Sequence, residues 1–342
     1  MENKYIDRNY ILDDEGNYLK IIGNQHDSES IVSYVKFYPS SYYNRYINGK
    51  PYGYNTFANR SFAILLPDQN RFKYSIYHGG VVTCTPRNKI DKIYDCREKL
   101  SQIWQERERY ESTYVGSELI AFLSQIKNDI DFNYLGITAS FLIDAFNEKS
   151  DIDLVCYGKK GFEMMSKVFK DYVTPYDGTN GISLYNRRMI YMSYTKYETL
   201  MKQEGRKLQG LTKNKNIHIN CQCLWENAID PLLNVEIYPI GEISCIAKIC
   251  GDKDSIFSPA LYDIEIASII DGELNGVFNG FEKKITHLIS YLGAYSCTFK
   301  EGEFVYIEGM LTSMKFEDGS IDYGIELSPW NTNKKYKAVL LN

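Results

Sequence analysis

The sequence predicts an α+β protein in which two β-rich parts flank a mixed helix–strand core. Three observations lead to this prediction. Short runs of alternating apolar and polar residues occur near both ends of the chain. Apolar residues at helical spacing are concentrated in the middle, where strand-like runs alternate with them. Turn residues separate the runs. We therefore expect a β-rich N-terminal region over residues 1–90, a core over 91–232 and a C-terminal β-rich domain over 233–342.

The N-terminal part carries clear strand signals. The alternating run 31–38 is predicted to be a strand, and so is the apolar run 61–66. Turn signals such as Asn48-Gly49 separate such runs.

The central part alternates helices with strands. Helical spacing predicts helices over 91–108, 117–127, 139–146, 161–172 and 184–207. Alternation predicts strands over 133–137, 151–157 and 216–222. Together these elements predict a mixed sheet covered by helices.

The C-terminal part contains only strand-like runs. They cover residues 235–238, 242–249, 261–266, 304–309 and 323–327. Five or six short strands in about 100 residues are typical of a small OB-like barrel.

Composition narrows the class of protein. With 39 Lys and Arg against 44 Asp and Glu, the net charge is −5, so the overall field does not attract polyanions. No apolar run reaches about 18 residues, and the polar N-terminus does not resemble a signal peptide. The eight cysteines form no CxxC pair. We expect a cytoplasmic protein with reduced thiols and no membrane partner.

One stretch carries residues suited to chemistry. A predicted strand ends at Gly136, and Ser140 opens the next helix. Glycine permits close backbone approach, and free N–H groups with a serine hydroxyl can hold a phosphate. Ten residues later, Asp151 and Asp153 alternate along a strand, which places both carboxylates on one face about 7 Å apart. Such a pair of hard oxygen ligands suits Mg²⁺.

The combined pattern resembles a known signature. Gly136-Ile-Thr-Ala-Ser140, ten residues and Asp-Ile-Asp-Leu are similar to the motif of the DNA polymerase beta-like nucleotidyltransferase superfamily. The resemblance assigns nucleotide binding to this turn, including Thr138, and to Ser150 before the first Asp. The superfamily usually has Gly-Ser where this chain has Ala139-Ser140.

The whole chain also resembles a family of predicted nucleotidyltransferases known mainly from archaea. The opening segment from Arg8 to Ile11, followed by Glu15-Gly16, carries part of this looser similarity. The resemblance implies transfer of a nucleoside monophosphate from an NTP, with release of pyrophosphate. It also implies Mg²⁺ or Mn²⁺ held by Asp151 and Asp153. The acceptor is open among RNA, a protein side chain and a small molecule.

Superfamily members commonly carry a third carboxylate on a later core strand, but the run 216–221 contains none. His218 is our candidate for the general base, because its pKa suits neutral pH. The alternative is a strand histidine bonded to a neighbour. Asn220 would be a neutral ligand, and Glu236 on the next strand is a substitute acid.

Several basic residues are candidates for phosphate or acceptor contacts. Lys159 follows the motif strand directly, and Arg206 and Lys207 end the predicted helix 184–207 just before the chain re-enters the core. The alternative is that these charges form a solvated helix face.

Two other hypotheses are alternatives to an enzymatic function. The first is a catalytically degenerate nucleotidyltransferase fold that only binds a nucleotide. The second is a nucleic-acid-binding module in which the C-terminal barrel stacks bases on exposed aromatic rings and contacts phosphates through lysines. Its candidates are Tyr295, Phe299, Lys300, Tyr306 and Lys315.

Overall fold

The computed structural model describes residues 4–42, 45–55, 60–189, 195–226, 230–272, 281–327 and 336–341. It is a mixed α+β structure with several sheets. The chain forms two compact units. The first comprises Met1–Lys73, Thr83–Pro175 and Leu208–Glu226, and the second comprises Tyr74–Val82, Tyr176–Lys207 and Asn227–Asn342. The predicted boundaries after residues 90 and 232 stay predictions.

The N-terminal strands form the largest sheet. They are β1 (Tyr10–Asp13), β2 (Tyr18–Ile21), β3 (Ser30–Pro39), β4 (Arg45–Ile47), β5 (Lys50–Tyr54), β6 (Phe72–Ser75), β7 (Gly80–Pro86) and β8 (Ile90–Tyr94). Six of them lie in the order β4-β5-β3-β2-β1-β8, and β7 pairs with both β3 and β6. The register shifts at β2 and β3, where Lys36 is an extra residue between the pairs Leu19–Val35 and Tyr18–Phe37. Such a bulge redirects a side chain.

The run 61–66, predicted as a strand, is instead helix α1 (Arg60–Leu65). Ser61 and Leu65 are both buried, and positions four apart share one helix face. Leu65 packs with Val35 in the core of the N-terminal sheet. The strand prediction was wrong because this packing favours a helical turn over the β-propensity of the run.

A five-stranded mixed sheet follows, in the order β11-β12-β13-β10-β9. Its strands are β9 (Leu135–Ile137), β10 (Ile152–Tyr157), β11 (Val173–Thr174), β12 (Gln209–Thr212) and β13 (His218–Leu224). Strands β10 and β13 are parallel, and the other pairs are antiparallel. The three core strands predicted from the sequence are therefore present, with ends shifted by one or two residues.

Helices of the middle segment are α2 (Cys96–Gln105), α3 (Arg107–Glu111), α4 (Tyr114–Ile126), α5 (Ala139–Leu142), α6 (Gly158–Tyr172), α7 (Gly178–Arg188) and α8 (Tyr197–Glu204). Short 3-10 helices cover Gln69–Arg71, Arg87–Lys89, Phe132–Tyr134, Phe281–Lys284 and Gly293–Tyr295. No helix within the described ranges is long and apolar enough to cross a membrane.

The two longest predicted helices differ most from the structure. The helix predicted over 91–108 begins later, because the Asp95 carboxylate caps α2 by accepting from the N–H groups of Arg97 and Glu98. The helix predicted over 184–207 is two helices, α7 and α8. The Arg188 guanidinium donates to Glu204 at 3.2 Å, so the two helices fold back on each other, which a single straight helix does not allow.

In the second unit a six-stranded sheet is formed by β14 (Glu236–Gly251), β15 (Ala260–Gly272), β16 (Ile285–Ser290), β17 (Phe304–Lys315), β18 (Ile321–Glu326) and β19 (Lys337–Leu340). Its order is β14-β15-β16-β18-β17-β19, and β14 also pairs with β17. Its buried side chains form a core that includes Ile243, Tyr262 and Val305.

One face of the N-terminal sheet packs inside the first unit. Tyr10, Tyr18 and Phe37 from this face share a buried cluster with Val155 of β10 and Leu224 of β13. The opposite face forms a separate cluster of aliphatic side chains with α1. The N-terminal sheet therefore lies over the face of the mixed sheet to which Val155 and Leu224 belong.

His26 makes the stability of the first unit depend on pH. Its Nδ1 accepts from the N–H of Val32 at 3.3 Å, and its Nε2 lies 3.0 Å from the carbonyl oxygen of Tyr5. Burial, with repulsion from Arg87, lowers the pKa of His26 from 6.5 to about 4. Between these values the unfolded chain binds a proton that the folded chain excludes, so stability falls as pH falls through this window.

We therefore expect wild type to lose on the order of 2 kcal/mol more stability than His26→Gln between pH 7 and pH 4.5. Urea unfolding of both proteins at several pH values measures the difference. Equal pH dependence in the two proteins would show that His26 does not titrate with folding.

Candidate functional site

The two acids of the motif lie on the face of β10 that is covered by the N-terminal sheet. Residues alternate along a strand, so Asp153 shares a face with Val155 and Tyr157, and Asp151 precedes them in the same phase. Val155 and Tyr157 are buried in the cluster with Tyr10 and the other rings of the N-terminal sheet. Asp153 is half-buried, whereas the side chain of Asp151 is 47% exposed. The face thus runs from a packed end to an open, acidic end.

The neighbouring strand β13 brings two more polar side chains to this face. Asn220 lies in register with Asp153, and its amide donates to Oδ1 of Asp153 at 2.6 Å. Nδ1 of His218 lies 3.9 Å from Oδ2 of Asp151. The structure therefore brings the predicted residues Asp151, Asp153 and His218 together in one group, and Asn220, the predicted neutral ligand, belongs to the same group.

The turn between β9 and α5 lies against the same strand. The Thr138 N–H donates to the carbonyl oxygen of Asp153 at 2.9 Å, and the Thr138 hydroxyl donates to the carbonyl oxygen of Arg8 at 2.8 Å. Ser140 is half-buried, and its carbonyl oxygen accepts from Ala145. Ala139 has φ +55°, a left-handed conformation that favours glycine. Glycine would adopt this conformation with less strain than alanine.

Helix α5 is shorter than predicted and ends at Leu142 rather than near residue 146. Ser150 lies in the loop that follows α5, and its hydroxyl accepts from the N–H of Asn147 at 2.9 Å. Ser150 is buried, so its hydroxyl serves to close the loop that leads into Asp151.

Gly136 is surrounded closely by protein. A Cβ at this position would lie 2.9 Å from Cβ of Cys96 and 2.9 Å from Cγ2 of Val155. The space beside Gly136 that was predicted to admit a phosphate is filled by Cys96, the first residue of α2. Packing of α2 against β9 is thus a sufficient reason for glycine here.

The basic residues that were predicted to contact phosphate are either exposed at a distance from Asp153 or held in ion pairs. Lys159 is exposed in the first turn of α6, beyond the end of β10 opposite to Asp151. Tyr157 lies four positions after Asp153, about 13 Å along the strand. In the second unit, Arg206 donates to both carboxylate oxygens of Glu303 and to the carbonyl oxygen of Thr298.

Lys207 is buried in the same unit, and its Nζ lies 2.6 Å from both Oε1 of Glu204 and the carbonyl oxygen of Ala294. Arg206 and Lys207 are therefore engaged in structural ion pairs.

The proposed base-stacking residues of the C-terminal sheet are largely unsuitable. Tyr295 and Phe299 are fully buried in its core, so the prediction that they are exposed was wrong. Lys300 pairs with Asp252 at 2.8 Å, and Lys315 pairs with Glu236 at 3.2 Å. The aromatic spacing in the sequence reflected core packing.

The carboxylate oxygens of Asp151 and Asp153 are ligands of the chemical type that Mg²⁺ prefers. Mg²⁺ typically takes one or two carboxylates and completes its shell with waters and substrate phosphates. Within the described residues no group of three His, Cys, Asp or Glu side chains is arranged around one point. A site of this kind would depend on the nucleotide for its remaining ligands.

The sequence reasoning missed a group of side chains on the N-terminal sheet. Lys20, Tyr34 and Lys36 lie on the sheet face that covers β10, and Asp153 is among the charges that act on Lys36. The alternation of basic and aromatic residues in β3 was visible in the sequence. Their proximity to Asp153 was not, since 117 positions separate Lys36 from Asp153.

Comparisons with family models, curated proteins and solved structures found no match to this chain.

Replacing Ala139 with glycine tests the backbone of the turn. Because a left-handed alanine costs roughly 1–2 kcal/mol and glycine loses more chain entropy on folding, we expect Ala139→Gly to stabilise the protein by about 0.5–1 kcal/mol. Urea unfolding at neutral pH measures this. A loss of stability would mean that the residue is not left-handed in solution.

Gly136→Ala tests the packing of α2 on β9. The added Cβ meets Cys96 and Val155 at 2.9 Å, and overpacking of this kind costs roughly 1–3 kcal/mol. We expect a lower urea midpoint with an unchanged slope. Gly49→Ala is a control for the loss of a glycine, because a Cβ there has no neighbour within 4 Å, although its left-handed backbone adds a strain of its own. Wild-type stability of Gly136→Ala would contradict the packing role.

Proposed function

We propose that this protein is a metal-dependent nucleotidyltransferase that moves a nucleoside monophosphate from an NTP to an acceptor and releases pyrophosphate. The observation that carries the proposal is the joint placement of Asp151, Asp153, Asn220 and His218 on one face of two paired strands. The turn at Ala139 and Ser140 adjoins this face through the Thr138–Asp153 hydrogen bond. The resemblance of this motif to that of the DNA polymerase beta-like superfamily supports the same proposed function.

Mg²⁺ or Mn²⁺ held by Asp151 and Asp153 would neutralise triphosphate charge and favour attack on the α-phosphorus. The chain's own residues have separate roles. Asn220 fixes the Asp153 carboxylate by donating to one of its oxygens. His218, beside Asp151, would accept the proton of the attacking hydroxyl. Ser140 would contact a phosphate oxygen through its hydroxyl.

RNA is one acceptor that the second unit would suit. We propose that its strands form an OB-like barrel, because β14 pairs with both β15 and β17 and the pairing order returns to its first strand. Burial of Tyr295 and Phe299 removes two expected stacking residues, so RNA contacts would need other side chains.

A second candidate function is nucleotide binding without catalysis. The observation that favours it is Asn220, an uncharged residue in register with Asp153 where the superfamily commonly has a carboxylate. A protein of this kind would bind NTP but would form no covalent product.

The first experiment incubates the full chain with each α-labelled NTP and Mg²⁺ or Mn²⁺, with and without total RNA. We expect label in RNA, in the protein or in a new small molecule, and a loss on the order of 100-fold or more in Asp151→Asn/Asp153→Asn, because the charge that holds the metal is removed. Asp129→Asn, an exposed aspartate of the same unit, is the matched control and should keep wild-type activity.

Three outcomes separate the functions. Label that disappears only in the double variant supports the transferase. Full turnover by Asp151→Asn/Asp153→Asn rules out this site. Absence of label together with nucleotide binding by calorimetry favours the non-catalytic protein.

A further inference from the structure

A group of cationic side chains faces the acidic end of β10. Lys20 of β2 lies opposite Tyr10 of β1 and Tyr34 of β3 in the sheet register. Residues directly opposite in antiparallel strands share a face, so these three side chains lie on the face that packs over β10. The bulge in β3 adds Lys36 to the same face.

The two lysines are not neutralised by salt bridges. Nζ of Lys20 and Nζ of Lys36 each lie 5.7 Å from the centre of the Tyr34 ring, and Lys36 also lies 4.6 Å from the Tyr54 ring. Among the described residues, neither ammonium group has a carboxylate oxygen within 4.0 Å. Oδ1 of Asp153 accepts instead from Asn220.

Arg8 adds a third positive charge. Its guanidinium is half-buried, and its Nε lies 3.4 Å from Asp7, which offsets part of the charge. Arg8 has φ +73°, and its carbonyl oxygen accepts from the Thr138 hydroxyl. Left-handed backbone in a residue other than glycine is strained and is found at binding sites. The same residue therefore connects the basic group to the β9–α5 turn.

The pKa of Tyr34 indicates an excess of positive charge around its hydroxyl group. Burial raises the pKa of Tyr34, but the charges of Lys20, Lys36 and Arg8 outweigh it and lower the pKa to about 8. Burial, with repulsion from Arg8, lowers the pKa of Lys20 to about 8. A bound anion would raise both pKa values towards their usual range.

Asp153 lies close enough to act on this group. Burial opposes the charge of Lys36, but Tyr34, Tyr54 and Asp153 outweigh it and raise its pKa. Asp153 also contributes to the raised pKa of Tyr10, for which burial is the main cause. An anion held by the lysines would therefore lie beside the carboxylates assigned to the metal.

We infer that Arg8, Lys20 and Lys36 form a polyphosphate-binding subsite, in which the Tyr34 hydroxyl also donates to the anion. Half-buried lysines around a partly open face suit a compact polyanion such as pyrophosphate or the β- and γ-phosphates of an NTP. The assignment to a nucleotide rests on the proposed function, whereas binding of inorganic pyrophosphate does not.

The test is calorimetric titration of the full chain with inorganic pyrophosphate in EDTA at low ionic strength. We expect Lys20→Met and Lys36→Met each to weaken binding about tenfold, because each removes one charge-assisted contact, and the double variant to lose about 100-fold. Lys92→Met is the matched control. Lys92 is an exposed lysine of the same sheet whose Nζ lies 4.6 Å from the Tyr94 ring, and its removal should change the affinity less than twofold.

Lys20→Arg/Lys36→Arg keeps the charges and should retain most of the affinity, which separates loss of charge from loss of folding. Asp151→Asn/Asp153→Asn should bind pyrophosphate at least as tightly as wild type, because two negative charges beside the anion are removed. The inference is overturned if wild type binds no pyrophosphate, or if the Lys20/Lys36 double methionine variant matches Lys92→Met. Pyrophosphate binding without NTP turnover would leave the subsite standing and reject the proposed enzyme.

Discussion

One face of strand β10 has to satisfy two demands. Val155 and Tyr157 are packed in the buried cluster beneath the N-terminal sheet, and two residues earlier the same alternation carries Asp153. A shift of one residue in β10 would move Asp153 to the opposite face, among the buried side chains of Ile152, Leu154 and Cys156. Hydrophobic packing at one end of the strand therefore fixes the direction of the carboxylates at the other end. The rest of the candidate site is arranged around that constraint.

Contacts from the start of the chain hold the remaining parts of the first unit in place. The Asn9 side chain accepts from the N–H of Cys96 at the start of α2 and donates to the Asp95 carboxylate. The adjacent Arg8 carbonyl oxygen accepts from the Thr138 hydroxyl. These two links connect the N-terminal sheet to α2 and to the β9–α5 turn. They explain why a strained backbone at Arg8 is retained, since its carbonyl oxygen has to reach the turn.

The polar side chain beside Asp153 on the neighbouring strand is an amide rather than a carboxylate. Asn220 occupies the position in register with Asp153, and it orients that carboxylate rather than adding charge. Because Asn220 is neutral, the two acids supply the negative charge of this group, and no third carboxylate adds to it. The positive charge of Lys36 acts in the same direction, because it lies within electrostatic range of Asp153. The site therefore combines two acids, one neutral donor and a basic surface from another sheet.

The sequence by itself determined the local features of this site. Alternation in the run 151–157 placed both acids on one face of a strand, and the turn before it was visible in the residues from Gly136 to Ser140. It did not determine the ends of α7 and α8 or the helix at 60–65, where burial of one side overrode propensity. Only the tertiary structure decided that Asn220 neighbours Asp153 and that Lys36 lies within electrostatic range of Asp153. Those contacts join strands far apart in the chain, and local patterns do not specify such pairings.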